Sequence, residues 1–287
     1  MSDLPVIASF WTGDPLSLVE RLCLKSFVDA GHRTILFSYG PVEGVPDGVE
    51  TGDAADILEQ PQTITTHART QSPAPFADRF RYHLLSKRPG IIWADTDAYC
   101  LRPFVPRDGW FVAFGDEKKR LVANGVLGLP PESETLKELL AWTEDEFAIL
   151  PWMPPKFLDQ ACRAARDGEP IHVAEYPWGA WGPNAITWIL RMTGELEHAM
   201  DAVTLYPLSY PERRRIFKRA RVTLRACTNE TMSIHFYGRR IRDRLLKEYA
   251  GIPPEGTLLD TLGRRHGLIG TPEMDDLARA AVPSEAA

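Results

Sequence analysis

Two carboxylates stand one residue apart, directly after a short apolar run. The run is IIWA (91–94), and the acids are Asp95 and Asp97. Two neighbouring carboxylates in a cleft of low dielectric repel each other when both are ionised, and a divalent cation relieves that repulsion. All-oxygen ligands favour a hard ion such as Mg²⁺ or Mn²⁺, which keeps positions open for phosphate oxygens. The pair therefore predicts a site for a metal-bound diphosphate, although an isolated Asp-x-Asp also occurs in solvated surface turns.

An acid and a base precede this pair on a predicted helix. Over residues 76–87, Asp78, Arg81 and Tyr82 fall on one helical face, because residues three and four apart are neighbours there. A Pro-Gly turn and a strand follow, so we expect this face to lie near the carboxylates. The alternative is an ordinary ion pair on the helix surface, worth about a few tenths of a kcal/mol.

The hydrophobic period along the chain alternates between strand-like and helix-like stretches. Strands are predicted at 5–11, 33–40, 91–94, 109–116 and 122–130, and helices at 16–30, 54–60, 76–87, 132–148, 156–166 and 183–194. This order predicts an α/β sandwich with a mainly parallel central sheet, in which ligands bind beyond the carboxyl ends of the strands. We expect a single domain over 1–250 and a loosely packed or frayed tail over 251–287.

The composition excludes several classes of protein. The chain has 287 residues, of which 44% are hydrophobic and 25% charged, and a net charge of −6, so we expect no nucleic-acid partner. The four cysteines have neither zinc-ligand spacing nor the density of a disulfide framework. No run approaches the roughly 20 apolar residues of a membrane-spanning helix. We therefore expect a cytoplasmic protein.

A basic segment runs from Arg213 to Arg225 in this acidic chain. Its sequence, RRRIFKRARVTLR, interleaves seven basic residues with Ile216, Phe217 and Val222. Such a segment could attract anionic lipid head groups and bring the protein to the inner face of the membrane. A solvated basic surface is the alternative interpretation.

The stretch FADRFRYHLLSKRPGIIWADTDAYCLRPF (76–104) resembles the DXD-containing glycosyltransferases of family 32 and their relatives. These include capsular-polysaccharide transferases, α-1,4-galactosyl- and N-acetylglucosaminyltransferases, and the large glucosylating toxins. In that family a small residue and Asp, Arg-Tyr, a helix, a Gly-Gly turn and an aromatic lead into Asp-x-Asp. The matching residues here are Ala77-Asp78, Arg81-Tyr82, Pro89-Gly90, Trp93 and Asp95-Thr96-Asp97. The departure is Pro89, where the family usually has glycine.

Looser matches extend over about residues 5–240. Trp11 matches an aromatic that stacks on the nucleotide base, and Asn124 lies in a segment that approaches the donor sugar. The residues Gly182, Pro183 and Thr187 match a Gly-Pro-x-x-x-Thr segment. His235, in SIHFYG, matches a late His-aromatic segment and is a candidate metal or phosphate contact. Core packing remains the alternative for Trp11 and for His235.

The resemblance implies a GT-A (Rossmann-like) nucleotide-sugar-binding fold and transfer of a hexose or N-acetylhexosamine with retention of configuration. It implies a nucleotide-sugar donor, a UDP-sugar ahead of a GDP-sugar, with Mn²⁺ or Mg²⁺, and a saccharide or glycolipid acceptor. Asp97, with Asp95 acting directly or through water, would hold the metal, and Asp78 and Arg81 would orient the donor. Trp93 would lie beside the donor site. Other classes remain open: a metal-dependent nucleotidyltransferase or phosphohydrolase, and a non-catalytic component of polysaccharide biosynthesis that retains the fold.

Overall fold

The structure is a computed structural model that describes residues 4–116, 118 and 120–280. Its strands are β1 Ile7–Phe10, β2 Thr34–Ser38, β3 Val49–Asp53, β4 Ile92–Ala94, β5 Ala98–Cys100, β6 Phe111–Asp116, β7 Leu121–Gly128 and β8 Ser233–His235. Its helices are α1 Leu18–Asp29, α2 Ala74–Lys87, α3 Glu134–Thr143, α4 Pro155–Arg166, α5 Pro183–Thr193, α6 Ala202–Leu205, α7 Ala220–Thr223, α8 Gly238–Tyr249, α9 Leu258–Arg265 and α10 Pro272–Ala280.

Six of the strands form one sheet in the order β3-β2-β1-β4-β7-β6. Strand β2 pairs in parallel with both β1 and β3, whereas β6 and β7 are antiparallel. The predicted α/β class with a mainly parallel central sheet is confirmed. The sequence did not predict β3, whose residues VETGD are partly or fully exposed and lack an alternating apolar pattern. Strands β5 and β8 form a separate antiparallel pair.

The chain divides into two compact units. The first unit comprises Met1–Asp53, Ala94–Pro106 and Asp201–Ala287, and the second comprises Ala54–Trp93 and Arg107–Met200. The expectation of a single domain over 1–250 stays a prediction.

Helix α1 anchors the core of the first unit. Its N-cap is Ser17, whose side chain accepts a hydrogen bond from the Val19 amide at 3.2 Å, while the Glu20 side chain accepts one from the Ser17 amide at 3.0 Å. The buried face of α1 packs with residues of β5, β8, α8 and α9. The cluster includes Leu18, Leu22, Cys23, Tyr99, Ile234, Phe236, Ile241, Leu258, Leu259, Leu262, Leu268 and Ile269.

Part of the segment after residue 250 therefore contributes to this core, although its composition predicts weak packing. The pattern that explains this is the amphipathic α9, which begins at the N-cap Thr257 and buries Leu258, Leu259 and Leu262. Residues 281–287 of the predicted tail lie outside the described residues.

The second unit contains helices α2 to α5 and the antiparallel strands β6 and β7. Helix α5 begins with Pro183 at its first position and ends at Gly194, which has a φ of 80°, as predicted from the sequence. The side chain of Thr187 on α5 accepts a hydrogen bond from the Val122 amide at 2.9 Å, which fixes α5 against β7. Among the helices of the described residues, none has the length and apolar composition that crossing a bilayer requires.

Candidate functional site

Asp95, Asp97 and His235 come together in the first unit. One ligand atom from each lies within 4.8 Å of the others. The pairing of β5 with β8 explains the contact, since it places Ala98 opposite His235, and the Phe236 amide donates to the Asp97 carbonyl oxygen at 2.9 Å. A backbone ladder thus positions two residues that are far apart in the sequence. We call these three residues the acidic cluster.

The two carboxylate oxygens of Asp97 have different surroundings. Its Oδ2 accepts a hydrogen bond of 2.6 Å from the amide of Gly238, the first residue of α8. A Cβ at position 238 would lie 2.8 Å from the Asp97 Cβ, so this close approach requires glycine. The anchored Oδ2 orients the carboxylate at the N-terminus of α8, where the helix dipole stabilises negative charge. The other oxygen, Oδ1, lies 3.5 Å from His235 Nδ1.

Asp97 Oδ1 and His235 Nδ1 are both buried and have no hydrogen-bond partner among the described residues. Their separation of 3.5 Å is long for an N–H···O hydrogen bond. A buried polar atom without a partner costs about 1–3 kcal/mol, so two of them facing each other call for an explanation. Two carboxylates and an imidazole nitrogen are metal ligands, and a divalent cation would bond to both atoms. The residues of the acidic cluster therefore fit a divalent cation.

Near Asp97 of the acidic cluster lies an ion pair between a buried carboxylate and a partly exposed arginine, which was not predicted from the sequence. Glu20 is 1% exposed, and its Oε1 lies 2.9 Å from Nη1 of Arg242. Burial raises the pKa of the Glu20 carboxyl, and the Arg242 charge opposes that effect. Burial also raises the pKa of the Cys23 thiol, and the negative charges of Asp97 and Glu20 add to the increase. The signal for Glu20 was present in the capping box Ser17-x-x-Glu20, which places a carboxylate in the first turn of α1.

Trp11 is partly exposed in the first unit. Its Nε1 donates to the Asp14 carbonyl oxygen at 2.8 Å, and the guanidinium of Arg242 lies 5.2 Å from the ring centroid. The ring also packs against a small cluster of buried leucines that includes Leu16 and Leu36. One side of the Trp11 ring thus packs against the core. The other part is exposed, and its stacking on a nucleotide base stays a prediction.

The second unit holds a different cluster, which we call the α2–β7 network. Asp78, Arg81, Tyr82 and Asn124 are each at most 6% exposed. Asn124 Nδ2 donates to Asp78 Oδ1 at 2.8 Å and to the Tyr82 hydroxyl at 3.2 Å, and that hydroxyl donates to the Trp181 carbonyl oxygen at 2.6 Å. The helical face predicted from the sequence is real, but Asp78 and Arg81 are buried rather than on the surface.

Arg81 is held on several sides within this network. Its Nη2 lies 3.3 Å from Asp78 Oδ1, its Nε donates to the Ala77 carbonyl oxygen at 3.2 Å, and its Nη1 donates to the Asn124 carbonyl oxygen. The guanidinium also lies over the indole of Trp93, 4.7 Å from the ring centroid. Trp93 is 2% exposed, so in this structure its ring contacts Arg81 and the core. A cation held over an aromatic face is fixed in position.

The residues of the looser Gly-Pro-x-x-x-Thr match also lie at this network. Gly182 directly precedes α5, and a Cβ there would lie 2.9 Å from Asp78 Oδ2 and 3.3 Å from Asn124 Nδ2. Thr187 attaches the same helix to β7. The match therefore marks a close approach of the α5 N-terminus to buried polar side chains.

The predicted site residues thus fall in both units. Trp11, Asp95, Asp97 and His235 belong to the first, and Asp78, Arg81, Trp93 and Asn124 belong to the second. The acidic cluster contains three of the first set. The α2–β7 network contains Asp78, Arg81 and Asn124 of the second, and Trp93 contacts it through Arg81.

The basic segment Arg213–Arg225 does not present an apolar surface of the predicted kind. Ile216 is fully buried, and Phe217 packs partly buried against the core of the first unit. Of Ile216, Phe217 and Val222, only Val222 is exposed, at 39%. The segment's Arg215 is paired with Glu212 at 2.8 Å. The predicted attraction of this segment to anionic lipid head groups is thus not supported, and its mostly exposed basic side chains agree with the alternative, a solvated basic surface.

No protein-family model matches this chain, and no curated protein matches it in sequence. Solved structures that resemble it include the PaToxG glycosyltransferase, with 15% identity over 66% of this chain and 70% of that one and a TM-score of 0.41. Mouse xyloside xylosyltransferase 1 is 14% identical over 80% of this chain and 96% of its own, with a TM-score of 0.39. At this level of similarity the neighbours, both named as glycosyltransferases, do not by themselves assign an activity.

Proposed function

We propose that this chain is a metal-dependent glycosyltransferase, which moves a sugar from a nucleotide-sugar donor to a saccharide or lipid-linked glycan. The observation that carries the proposal is the pair of buried ligand atoms on Asp97 and His235, which lie 3.5 Å apart in the acidic cluster and form no hydrogen bond with any described residue. The sequence resemblance to DXD glycosyltransferases supports it, because the same Asp95-x-Asp97 pair ends that motif. The GT-A fold assignment belongs to this proposal and is compatible with the mainly parallel sheet.

A bound divalent cation would neutralise the negative charge that grows on the leaving nucleoside diphosphate. Asp97 would hold it through Oδ1, while Oδ2 remains bonded to the Gly238 amide, so the carboxylate is oriented before any ligand binds. The imidazole of His235 favours Mn²⁺ over Mg²⁺, since Mg²⁺ is bound almost entirely by oxygen. A carboxylate that is held in this way keeps the orientation that metal binding needs, whereas a freely rotating carboxylate would have to be ordered when the metal binds.

The roles of the remaining residues follow from the resemblance and are part of the proposal. Asp78, Arg81 and Asn124 would orient the donor sugar, and the hydrogen bonds of the α2–β7 network would keep their geometry fixed. The exposed part of Trp11 would stack on the base, for which uracil is expected ahead of guanine. A cytoplasmic location, expected from the sequence, completes the proposal.

Calorimetric titration of UDP and of GDP tests the proposal, with Mn²⁺ present and with a chelator in its place. We expect one nucleotide to bind only with Mn²⁺, and Asp97→Asn to weaken that binding by about a hundredfold or more. The matched control is Asp243→Asn, an exposed carboxylate on α8, which should leave binding unchanged. Equal affinity with and without Mn²⁺, or in Asp97→Asn, would contradict the proposal.

Transfer and hydrolysis are separated by a second measurement. Incubation of UDP-sugars with the protein and Mn²⁺ should release UDP faster when a saccharide acceptor is present. Release that is rapid and independent of any acceptor would instead indicate a phosphohydrolase acting through the same carboxylates.

A further inference from the structure

A cavity of the second unit lies outside the residues discussed so far. Its volume is about 370 Å³, within the range of roughly 300–1,000 Å³ that is usual for small-molecule sites. The loop that begins at His67 forms one side, and residues 174–177 form the other. The two sides are joined by a hydrogen bond of 2.8 Å from the Ala68 amide to the Ala174 carbonyl oxygen. The cavity is therefore bounded by backbone segments that are fixed to each other.

Aromatic side chains surround this cavity. Phe157 of α4 and Tyr176 line it, with ring centroids 4.7 Å apart, and the Tyr176 hydroxyl donates to the Ala148 carbonyl oxygen at 2.8 Å. Trp178 is not itself a lining residue, but it follows the lining residue Pro177, is 48% exposed, and has its ring centroid 5.5 Å from that of the lining residue His67. An exposed indole face next to a cavity offers a platform for the apolar face of a pyranose ring, whose C–H groups are attracted by the negative face of the aromatic ring.

Two charged side chains line the same cavity. Arg69 and Glu175 are exposed, and neither forms an ion pair or a side-chain hydrogen bond with any residue that the structure describes. A guanidinium supplies donors only and a carboxylate supplies acceptors, so together they suit hydroxyl groups, which need both. Their charges cancel, which favours a neutral polyhydroxylated ligand over an anion such as phosphate.

His67 is a buried residue of the cavity lining. It is 5% exposed, and its Nδ1 accepts a hydrogen bond from the Thr70 amide at 3.3 Å, so the neutral ring carries its proton on Nε2. That Nε2 is buried without a partner among the described residues, as is the Thr70 hydroxyl oxygen. Because both atoms have almost no exposed surface, His67 shapes the cavity wall and contacts the Trp178 ring rather than the ligand.

We propose that this cavity binds one sugar residue of a neutral glycan, with Trp178 as the stacking platform and with Arg69 and Glu175 bound to its hydroxyl groups. His67 is a positioning residue that holds the Trp178 ring and the loop to Thr70. That this glycan is the acceptor rests on the proposed glycosyltransferase function. The binding of sugar itself does not depend on that function.

The test is saturation-transfer-difference NMR of the full chain with four methyl glycosides, those of glucose, galactose, mannose and N-acetylglucosamine. We expect at least one glycoside to give a signal, and Trp178→Ala to weaken its binding by about tenfold. Glu175→Gln, an exposed substitution that keeps the shape, should weaken the same glycoside through the loss of a charged acceptor. The matched control is Met192→Ala, since Met192 is 67% exposed in the same unit but, unlike Trp178, is neither next in sequence to a lining residue nor in ring contact with one.

The outcomes separate this proposal from the proposed function. No signal from any of the four glycosides, or a signal unchanged in both Trp178→Ala and Glu175→Gln, would overturn the sugar site. Sugar binding that depends on Trp178, in a protein that binds no nucleotide with Mn²⁺, would support the site and reject the glycosyltransferase. Nucleotide binding without glycoside binding would do the reverse.

Discussion

The acidic cluster and the α2–β7 network contain similar side chains but use them in opposite ways. In the acidic cluster, Asp97 Oδ1 and His235 Nδ1 are buried and face each other without a hydrogen bond. In the α2–β7 network, Asp78 accepts from Asn124 and pairs with Arg81, which also donates to two carbonyl oxygens. The acidic cluster thus contains buried polar atoms that form no hydrogen bond with the described residues, whereas the polar side chains of the α2–β7 network bond to each other.

This difference indicates different roles. Unpaired buried polar atoms destabilise a fold, so a site that contains them is expected to gain stability when a ligand binds. A network of buried, mutually bonded polar groups instead fixes side-chain positions, and removal of one member leaves its partners unsatisfied. We therefore expect substitutions in the α2–β7 network to lower stability in the absence of any ligand, whatever they do to donor binding, and substitutions in the acidic cluster to lower ligand binding with little loss of stability.

The largest effect on stability is expected from Arg81→Met. This change removes the positive charge of a buried ion pair with Asp78, and the loss of one member of such a pair typically costs about 3–5 kcal/mol of unfolding free energy. The matched control is Arg79→Met on the same helix, because Arg79 pairs with Glu144 at 3.1 Å where the carboxylate is 55% exposed. Such pairs contribute about 0–1 kcal/mol. Urea denaturation of both variants makes the comparison, and equal losses would show that the network is not specially stabilising.

A second test adds volume to the network without changing charge. Gly182→Ala would place a Cβ 2.9 Å from Asp78 Oδ2 and 3.3 Å from Asn124 Nδ2, and neither side chain can move without breaking its hydrogen bonds. Overpacking of this kind costs about 1–3 kcal/mol. Gly40→Ala is the control, since no atom lies within 4 Å of a Cβ built there. Thermal melting should separate the two, and an unaltered melting temperature for Gly182→Ala would mean that the network gives way easily.

The local elements of both clusters were predictable from the sequence. The helix with Asp78 and Arg81, the strand before Asp95, and the Pro183-to-Gly194 helix all follow from hydrophobic period and from Pro and Gly punctuation. The residues that pack against each helical face were not predictable. A helical pattern shows which side chains share a face, but it does not show which residues from other parts of the chain contact them. Burial of Asp78 and Arg81 depends on Asn124, which is remote in sequence.

The long-range contacts of the acidic cluster were even less predictable from the sequence. Strands β5 and β8 are three residues each, too short for a reliable period, yet their pairing is what brings His235 to Asp97. The anchoring of Asp97 depends on Gly238, whose lack of a Cβ permits the contact. The sequence resemblance suggested His235 as a metal contact, whereas residue pattern alone favoured a core histidine.

For the acidic cluster we expect Asp97→Asn to change stability by no more than about 1 kcal/mol. The asparagine side-chain oxygen can still accept from the Gly238 amide, and the lost charge at the N-terminus of α8 is worth about 0.3–1 kcal/mol. Addition of Mn²⁺ should raise the melting temperature of the unsubstituted protein and leave that of the variant unchanged. A large loss of stability without Mn²⁺, as large as that of Arg81→Met, would abolish the distinction between the two clusters.

The smallest effect concerns a histidine of the first unit that, unlike His235, has both ring nitrogens bonded. His32 is 3% exposed, its Nδ1 donates to the Pro5 carbonyl oxygen at 2.8 Å, and its Nε2 accepts from the Phe104 amide at 2.9 Å. Burial lowers the pKa of His32, although the Pro5 carbonyl opposes this. Because its pKa in the folded protein lies below the unfolded value of about 6.5, the stabilising contribution is complete above that pH and is lost as the pH falls through the folded pKa.

Urea denaturation between pH 7.5 and 5 should show this decrease, and His32→Gln should reduce it whereas His198→Gln, at an exposed position, should not. A decrease of the same size in His32→Gln would show that other groups cause the loss of stability in acid. The difference in hydrogen bonding between His32 and His235 would then have no effect on the pH dependence of stability.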